Sequence, residues 1–275
     1  MSRKTKDLLM KALIMFSTIF TVGVLVIIIG YIFIQGMGHL SFDFIFGSAE
    51  TGGIWPMIVS TMYIVGISLA ISVPVGIMAA IYLTEYAKQT KFVSLIRLAT
   101  QSLAGIPSII FGLFGLALFV RAFGLNVSIL SAGFTLAIMN LPVIIRATEE
   151  ALKSVPQSYR EGSLGLGATK IQTIWKVVLP SALPGILTAV ILAIGRIVGE
   201  SAPVLLTAGV LKDLPTSVFD GGRTLTVHLY LLAQEAISPE DFQIAFATAT
   251  VLIIIVLVIN LIARFVSAKL DKTKA

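Results

Sequence analysis

Two charged side chains lie within one long apolar stretch of the sequence. In residues 191–209, ILAIGRIVGESAPVLLTAG, Arg196 and Glu200 are four positions apart, so on a helix they share one face and can touch. A charge inside a bilayer is costly, and such residues usually face a bundle interior or a wet cavity. The pair either neutralises itself and braces neighbouring helices, or Arg196 lines an anion pathway, because its planar, permanently charged guanidinium matches the oxygens of an oxyanion.

Glu200 needs a separate explanation, because a carboxylate repels an anion. It either holds Arg196 and weakens the binding of the anion so that the anion passes, or it accepts a hydrogen bond from the O–H of a protonated oxyanion, which a fully ionised oxyanion lacks. Asn140, in the stretch MNLPVII, is the third candidate for a pathway contact. Its alternative role is to satisfy the helix backbone that Pro142 interrupts.

The composition predicts that these residues sit in membrane-spanning helices. The chain has 275 residues, of which 57% are hydrophobic and only 12% are charged, which excludes an ordinary soluble domain. A spanning helix needs about 20 mostly apolar residues. We therefore predict an all-α polytopic membrane protein. Its six transmembrane helices are predicted near residues 12–34, 57–84, 94–120, 127–146, 183–210 and 244–265.

Basic residues predict the orientation of the chain. Of the 20 Lys and Arg residues, 16 fall on one side of the predicted spans, and the exceptions are Arg121, Arg196, Lys212 and Arg223. By the positive-inside rule, both termini are cytoplasmic. The predicted divisions are an N-terminal helix with an extracytoplasmic segment (1–56), a domain that holds the other five spans (57–266) and a cytoplasmic tail (267–275).

The cytoplasmic segment near 153–182 is too long for a simple turn and shows two short helical patterns. The first begins near Gln157, after Pro156, and Thr169 is placed to cap the second, which is predicted to end at Pro180. The alternative is an amphipathic helix lying on lipid headgroups, although the segment has many glycines and no strong basic face.

This segment resembles the coupling motif of permease subunits in ATP-binding-cassette (ABC) importers: Glu-Ala-Ala, three residues, Gly, nine residues, Ile-x-Leu-Pro. The matching residues are Glu161, Gly167, Val177 and Leu179-Pro180, and Gly162 and Ser163 replace the two alanines with other small residues. The resemblance implies that the segment docks into a groove on a separate ATPase subunit, with Glu161, Gly162, Ser163, Gly167, Leu179 and Pro180 as coupling residues.

A wider resemblance, over roughly residues 50–265, is to the PstA-type permease subunits of high-affinity phosphate ABC importers. It is carried by the stretches GGIWPMIVST (52–61), IYLTEYAK (81–88), GIPSIIFGLFG (105–115), LPVIIRATEEALKSVPQSYREGSLGLGATK (141–170) and VLPSALPGILTAVILAIGRIVGESAPVLLTAG (178–209). It implies a type-I ABC importer fold that moves inorganic phosphate across the cytoplasmic membrane of a prokaryote, with residues 57–266 as the permease domain and with an Arg and a Glu at positions 196 and 200. For phosphate, the acceptor role of Glu200 would discriminate against fully ionised sulfate, which has no O–H. The implied partners are a sister C-type permease subunit, two ATPase subunits, an extracytoplasmic phosphate-binding protein and membrane lipid.

Several kinds of chemistry have no motif in this sequence. There is no cysteine, no phosphate-binding loop and no catalytic grouping, and neither His39 nor His228 has metal-ligand spacing. We therefore expect no enzyme activity, no metal, no cofactor bound by this chain and no nucleic-acid partner, with ATP hydrolysed by the partner subunit. The alternatives are an ABC permease for another oxyanion, such as sulfate or molybdate, and an ion-coupled secondary transporter.

Overall fold

The structure is a computed structural model that describes residues 3–88 and 90–272. Within these ranges the regular structure is helical and contains no strand. The helices are α1 Arg3–Gly36, α2 Phe42–Phe46, α3 Trp55–Ile81, α4 Lys91–Ala104, α5 Ser108–Gly115, α6 Ile129–Lys153, α7 Gln157–Gly165, α8 Lys170–Thr173, α9 Leu179–Gly199, α10 Ala202–Thr207, α11 Leu225–Glu235 and α12 Pro239–Lys272. Three wide π-type turns accompany these helices. Tyr82–Tyr86 extends α3, Leu116–Ala122 extends α5, and Ile174–Val178 joins α8 to α9.

In the described part of the chain, five apolar helical runs are long enough to cross a bilayer, and a bent pair of helices makes a sixth if the two are counted as one span. The five runs that are long and apolar enough to cross a bilayer are Lys6–His39, Trp55–Tyr86, Ile129–Lys153, Lys170–Gly199 and Pro239–Phe265. The sixth is the pair Lys91–Ala104 and Ser108–Ala122, which bends by 102°. The predicted all-α fold is confirmed, and the predicted third span near 94–120 is this bent pair. Pro107 lacks an N–H and disfavours helical backbone at Ile106, so the helix breaks there.

The predicted span 183–210 is also broken. Helix α9 ends at Gly199, the backbone of Glu200 is extended, and α10 begins at Ala202. Pro203 lies in the first turn of α10, where a missing N–H removes no intrahelical bond. Glu200 therefore lies between two helices and not within one.

Helices α3 and α6 pack side by side at the centre of the bundle and run parallel. Their backbones approach closely at two glycines: a Cβ added at Gly133 would lie 2.5 Å from Cγ2 of Ile67, and one at Gly76 would lie 2.6 Å from Cγ2 of Ile144. Ile64, Leu136 and Ile144 are almost fully buried. Because interiors are close-packed, we expect α3 and α6 to move as one unit.

Replacing Gly133 by alanine is expected to lower the free energy of unfolding by about 1–3 kcal/mol, because the new methyl group overlaps Ile67. The matched control is Gly66→Ala on α3, where an added Cβ meets nothing within 4 Å. Thermal unfolding of both variants in detergent measures the difference. Equal midpoints for the two variants would contradict the close approach of α3 and α6.

Helix α1 contacts the rest of the chain near its end. Thr250 Oγ1 donates to the carbonyl of Ile32 at 3.2 Å, and the rings of Tyr31 and Phe246 meet edge to face at 5.5 Å. Most other side chains of α1 are apolar and exposed, which suits a lipid surface. The predicted division after residue 56 stays a prediction. Helix α12 continues past the predicted boundary at 266 to Lys272, and residues 273–275 of the predicted tail lie outside the described residues.

The loop after α10 caps the start of α6. The first N–H groups of a helix have no partner within it, and here the loop supplies carbonyl acceptors. Ser128 N donates to the carbonyl of Thr207, the last residue of α10. Ile129 N donates to the carbonyl of Asp220 and Leu130 N to that of Val218, both in the loop, and all three distances are 2.9 Å. This contact fixes α10 and the following loop at the end of the bundle where α3 and α6 begin.

Candidate functional site

Arg196 and Glu200 are in contact, as their spacing predicts. Arg196 lies in the last turn of α9, and its Nε is 3.5 Å from Oε1 of Glu200. The side chains are 34% and 16% exposed, respectively. The carbonyl groups at the end of a helix carry partial negative charge, so the end of α9 favours a cation at this position.

The surface around this pair is open in the isolated chain. A Cβ added at Gly195 or Gly199 would meet nothing within 4 Å, and Leu192 on the same side of α9 is 68% exposed. Small residues on both sides leave the guanidinium accessible to a ligand or to a neighbouring subunit. The arrangement can bind an oxyanion by hydrogen bonds from a permanent cation.

The backbone on both sides of Glu200 is held by neighbouring helices. Thr226 Oγ1 in α11 donates to the carbonyl of Val198 at 2.5 Å, and a Cβ added at Gly112 in α5 would lie 2.9 Å from Cα of Pro203. Helix α11 in turn starts against α3, where Leu225 N donates to Thr61 Oγ1 at 3.0 Å. The pair therefore lies toward the end of the bundle where α3 begins, so its predicted position in the middle of a span is wrong.

Asn140 lies apart from this open surface. Its side chain is fully buried, and its Nδ2 donates to the carbonyl of Leu136 at 3.2 Å. Its Oδ1 has no hydrogen-bond partner within residues 3–88 and 90–272. Pro142 removes the usual donor of the Ile138 carbonyl, but Asn140 does not bond to that carbonyl. The structure joins Asn140 to neither Arg196 nor Glu200 by a described hydrogen bond.

The segment that carries the coupling motif forms two short helices at the end of the bundle where α3 and α6 finish. Helix α7 starts at Gln157, as predicted, and Thr169 caps α8 in a reciprocal capping box with Gln172. Gly167 between them has φ +87°, a conformation that favours glycine. Leu166 beside it is 92% exposed, so an apolar side chain stands at the tip of this turn.

The motif residues divide between this turn and the span that follows. Glu161 and Gly162 are exposed on α7, whereas Ser163 is partly buried and its Oγ lies 2.9 Å from Oγ1 of Thr173. Leu179 and Pro180 begin α9. The prediction that the second helix ends at Pro180 is wrong. The wide turn at Ile174–Val178 lets the helical path continue through the proline.

Comparison with known proteins identifies this architecture. Residues 72–274 match the family described as binding-protein-dependent transport system inner membrane component. The chain belongs to this family. It is 35% identical to a probable ABC transporter permease protein, YqgI of Bacillus subtilis, over 99% of this chain and 98% of that protein. It is 34% identical to the phosphate transport system permease protein PstA of Haemophilus influenzae, over 95% of this chain and 94% of that protein. It is 36% identical to PstA 1 of Mycobacterium tuberculosis strain H37Rv, over 79% of this chain and 71% of that protein.

Solved ABC importers share the fold of this family member. A chain of the MetNI methionine ABC transporter aligns with a TM-score of 0.63 at 22% identity, covering 84% of this chain and 99% of that chain. A chain of a bacterial alginate ABC transporter aligns with a TM-score of 0.67 at 18% identity, covering 98% and 96%. The protein thus has the transmembrane fold of type-I ABC importers, and its family and relatives make it an ABC transporter permease subunit.

The permease contains a buried ion pair that sequence reasoning missed. Arg160 on α7 donates to Oε1 of Glu85 from Nη2 at 2.8 Å and from Nε at 3.2 Å, and the two side chains are only 14% and 10% exposed. The partners are 75 residues apart, so no local spacing could pair them. The available signals were that Glu85 is an acid at the end of a predicted span and that Arg160 directly precedes the motif residue Glu161.

A second group of charges connects α4 and α6 at the same end of the permease. Glu149 is buried on α6, and its Oε2 lies 2.9 Å from Lys153 Nζ and 3.4 Å from Arg97 Nε. Arg97 also donates from Nη2 to the carbonyl of Leu83 at 3.1 Å. These contacts hold the bent helix α4 against both central helices.

At the opposite end of the permease, a buried histidine accompanies a buried arginine. His228 in α11 is 8% exposed, and its Nδ1 lies 3.1 Å from Nη1 of Arg223. Burial, together with the nearby charges of Arg223 and Lys212, lowers the pKa of His228 to about 4. The neutral ring accepts from the guanidinium, whereas a protonated ring would face a like charge. Within the described residues, no cluster of histidine or acidic side chains is suited to a metal ion.

Acidification is expected to destabilise this end of the permease through His228. The pKa of His228 is about 4 when folded and about 6.5 when unfolded, so its contribution is complete above the unfolded value and is lost as the pH falls toward 4. The loss amounts to roughly 3 kcal/mol. The thermal unfolding midpoint should therefore fall less between about pH 7 and about pH 4.5 in His228→Asn, which keeps an acceptor but cannot titrate, than in the unmodified chain.

The control for this measurement is His39→Asn, because His39 is exposed. This variant should retain the pH dependence of the unmodified chain. The same pH dependence in His228→Asn as in the unmodified chain would show that the buried ring is not responsible.

Proposed function

We propose that this chain is the permease subunit of an ABC importer that moves inorganic phosphate across the cytoplasmic membrane, driven by separate ATPase subunits. The observation that carries the proposal is the similarity to proteins named phosphate transport system permease, at 34% identity over 95% of the chain. The contact between Arg196 and Glu200 on an open surface also supports it, because a permanent cation there can bind an oxyanion.

The proposed assembly pairs this chain with a sister C-type permease subunit, two ATPase subunits and an extracytoplasmic phosphate-binding protein. Both termini and the α7–α8 segment face the cytoplasm in this proposal, supported by the distribution of basic residues. The exposure of Glu161 and Leu166 supports docking of an ATPase on α7 and the following turn. The open side of α9 faces the sister subunit, so that the substrate pathway runs between the two.

Arg196 is proposed to bind phosphate on its way through. Its guanidinium is permanently charged, and Glu200, 3.5 Å away, limits how tightly the anion is held. Glu200 also offers an acceptor for the O–H of phosphate, which would select phosphate over sulfate. Asn140 keeps its proposed pathway role only in a conformation that uncovers it, because it is buried in this one.

Uptake of labelled phosphate tests the proposed function directly. Cells lacking this chain are expected to lose high-affinity phosphate uptake, and loss of the ATPase should have the same effect. Unlabelled sulfate and molybdate should not compete in cells with the chain intact. Uptake that survives loss of the ATPase would instead support an ion-coupled transporter, and uptake lost only for sulfate or molybdate would overturn the choice of substrate.

Glu200→Gln tests the selectivity role in the same assay. Glutamine keeps the size of the side chain and removes its charge, so the preference for phosphate over sulfate should fall. An unchanged preference would leave Glu200 with the single role of holding Arg196.

A further inference from the structure

We propose that the ion pair between Glu85 and Arg160 is the strut through which movement of α7 reaches the central helices, so that it is required for coupling ATP hydrolysis to transport. The inference rests on the proposed function, since it presupposes an ATPase that moves α7. It adds a positioning residue pair outside the motif residues and outside the anion pathway.

Arg160 joins three parts of the chain. Besides its two hydrogen bonds to Glu85 in the wide turn that ends α3, it donates from Nη2 to the carbonyl of Leu152 at 2.9 Å and from Nη1 to the carbonyl of Val155 at 2.8 Å. Leu152 lies in the last turn of α6, and Val155 follows that helix. One side chain of α7 therefore holds the ends of both central helices.

Helix α7 has few other ties to the bundle. None of its residues is buried, and Tyr159 and Leu164 are about half exposed. The hydroxyl pair Ser163–Thr173 joins α7 to α8, and Lys170 of α8 lies 4.8 Å from the centre of the Tyr86 ring in the turn that ends α3. That path runs through α8 and a cation–π contact, whereas Arg160 and Glu85 join α7 to the end of α3 directly by two hydrogen bonds.

The central helices are suited to carry that push onward. Since α3 and α6 approach closely at Gly133 and Gly76, moving the end of one displaces both. A buried ion pair seldom stabilises a fold better than apolar packing would, so stability alone is a weak reason for its presence. Rigid-body displacement of packed helices by a short docked element is an established kind of conformational transition.

Glu85→Ala tests the strut in the complete transporter reconstituted in liposomes, with phosphate uptake and ATP hydrolysis measured together. We expect the ATPase rate to stay within about threefold, while phosphate moved per ATP hydrolysed falls at least about tenfold. The matched control is Glu150→Ala, which breaks the Arg146–Glu150 pair on α6, an ion pair of similar length at 3.2 Å that is 64% and 68% exposed. The control should move as much phosphate per ATP hydrolysed as the unmodified transporter does.

A reversible cross-link separates coupling from folding. The chain has no cysteine, and a cavity of about 770 Å³ lined by Glu85, Arg160 and Lys153 gives a reagent access. The double variant Glu85→Cys with Arg160→Cys should be uncoupled when its thiols are free. Bridging the two thiols with a short bis-thiosulfonate reagent should restore the ratio, and a reducing agent should abolish it again in the same protein.

Two results would overturn the strut. One is an unchanged ratio of uptake to hydrolysis in Glu85→Ala. The other is an assembly defect in Glu85→Ala together with no recovery in the bridged double variant, because the pair would then serve structure alone. A wrong choice of substrate would give a different result from a wrong role for the ion pair, because the unmodified transporter itself would then not take up phosphate. The ratio would in that case be measured with the anion it does transport.

Discussion

Replacing Arg196 by alanine is expected to lower phosphate uptake by about 100-fold while the permease still reaches the membrane. A hydrogen bond from a charged group contributes roughly 1.5–3 kcal/mol, and the alanine variant loses it together with the positive charge that offsets the anion. Arg196 lies on an open surface, where a Cβ added at Gly195 or Gly199 would meet nothing within 4 Å, so we expect its removal to leave the fold little changed. Labelled phosphate uptake, normalised to membrane-inserted protein, measures the effect.

Two further variants show whether the loss of uptake is specific to the guanidinium of Arg196. Arg196→Lys keeps the charge but loses the planar pair of donors, so uptake should fall less than in the alanine variant. Arg146→Ala removes an exposed arginine from α6 and should leave uptake unchanged. Normal uptake in Arg196→Ala would mean that the Arg196–Glu200 pair braces the helices, and the assignment of the anion site would be wrong.

Replacing Leu166 by aspartate is expected to weaken binding of the ATPase subunit by about 100-fold. Leu166 is 92% exposed in this chain, at the tip of the turn between α7 and α8. Burying a leucine in a partner contributes roughly 1.5–3 kcal/mol, and a carboxylate at the same place would have to be desolvated. Co-purification of the ATPase with the tagged permease measures the loss, and uptake should fall with it.

The matched control is Ile237→Asp, because Ile237 is 94% exposed in the turn between α11 and α12, outside the α7–α8 segment. This variant carries the same change of charge and should keep its ATPase. If Leu166→Asp retains the ATPase as well as Ile237→Asp does, the tip of the turn is not part of the docking surface.

The thickness of the bilayer explains why the membrane-spanning segments could be predicted from the sequence. The thickness of the bilayer sets the length of an apolar run, so a run such as 57–84 is recognisable without knowledge of its neighbours. The same holds for Thr169, whose cap depends on residues within one turn. Gly105 and Pro107 mark an interruption in the third span, but the 102° angle depends on packing against other helices.

The contacts between distant residues could not be predicted in this way. Glu85 and Arg160 meet only because α3 and α6 end at the same level, and His228 is buried only because α11 folds back against α3 and α12. The contact between Arg196 and Glu200 could be predicted because the two residues are four positions apart. Their place in the bundle could not, because α9 ends between them at Gly199 and this end depends on the packing of α10 against α5.

The bend between α4 and α5 has a consequence for the surrounding bilayer. The limb from Ser108 to Ala122 rises only about 22 Å, against roughly 30 Å of hydrocarbon, whereas α12 is long enough to cross with length to spare. Such hydrophobic mismatch is relieved when lipids next to the short limb compress or when a neighbouring subunit fills the missing depth. The permease therefore has one side that matches a thinner membrane than the other, and its activity should depend on the acyl chain length of the lipids around it.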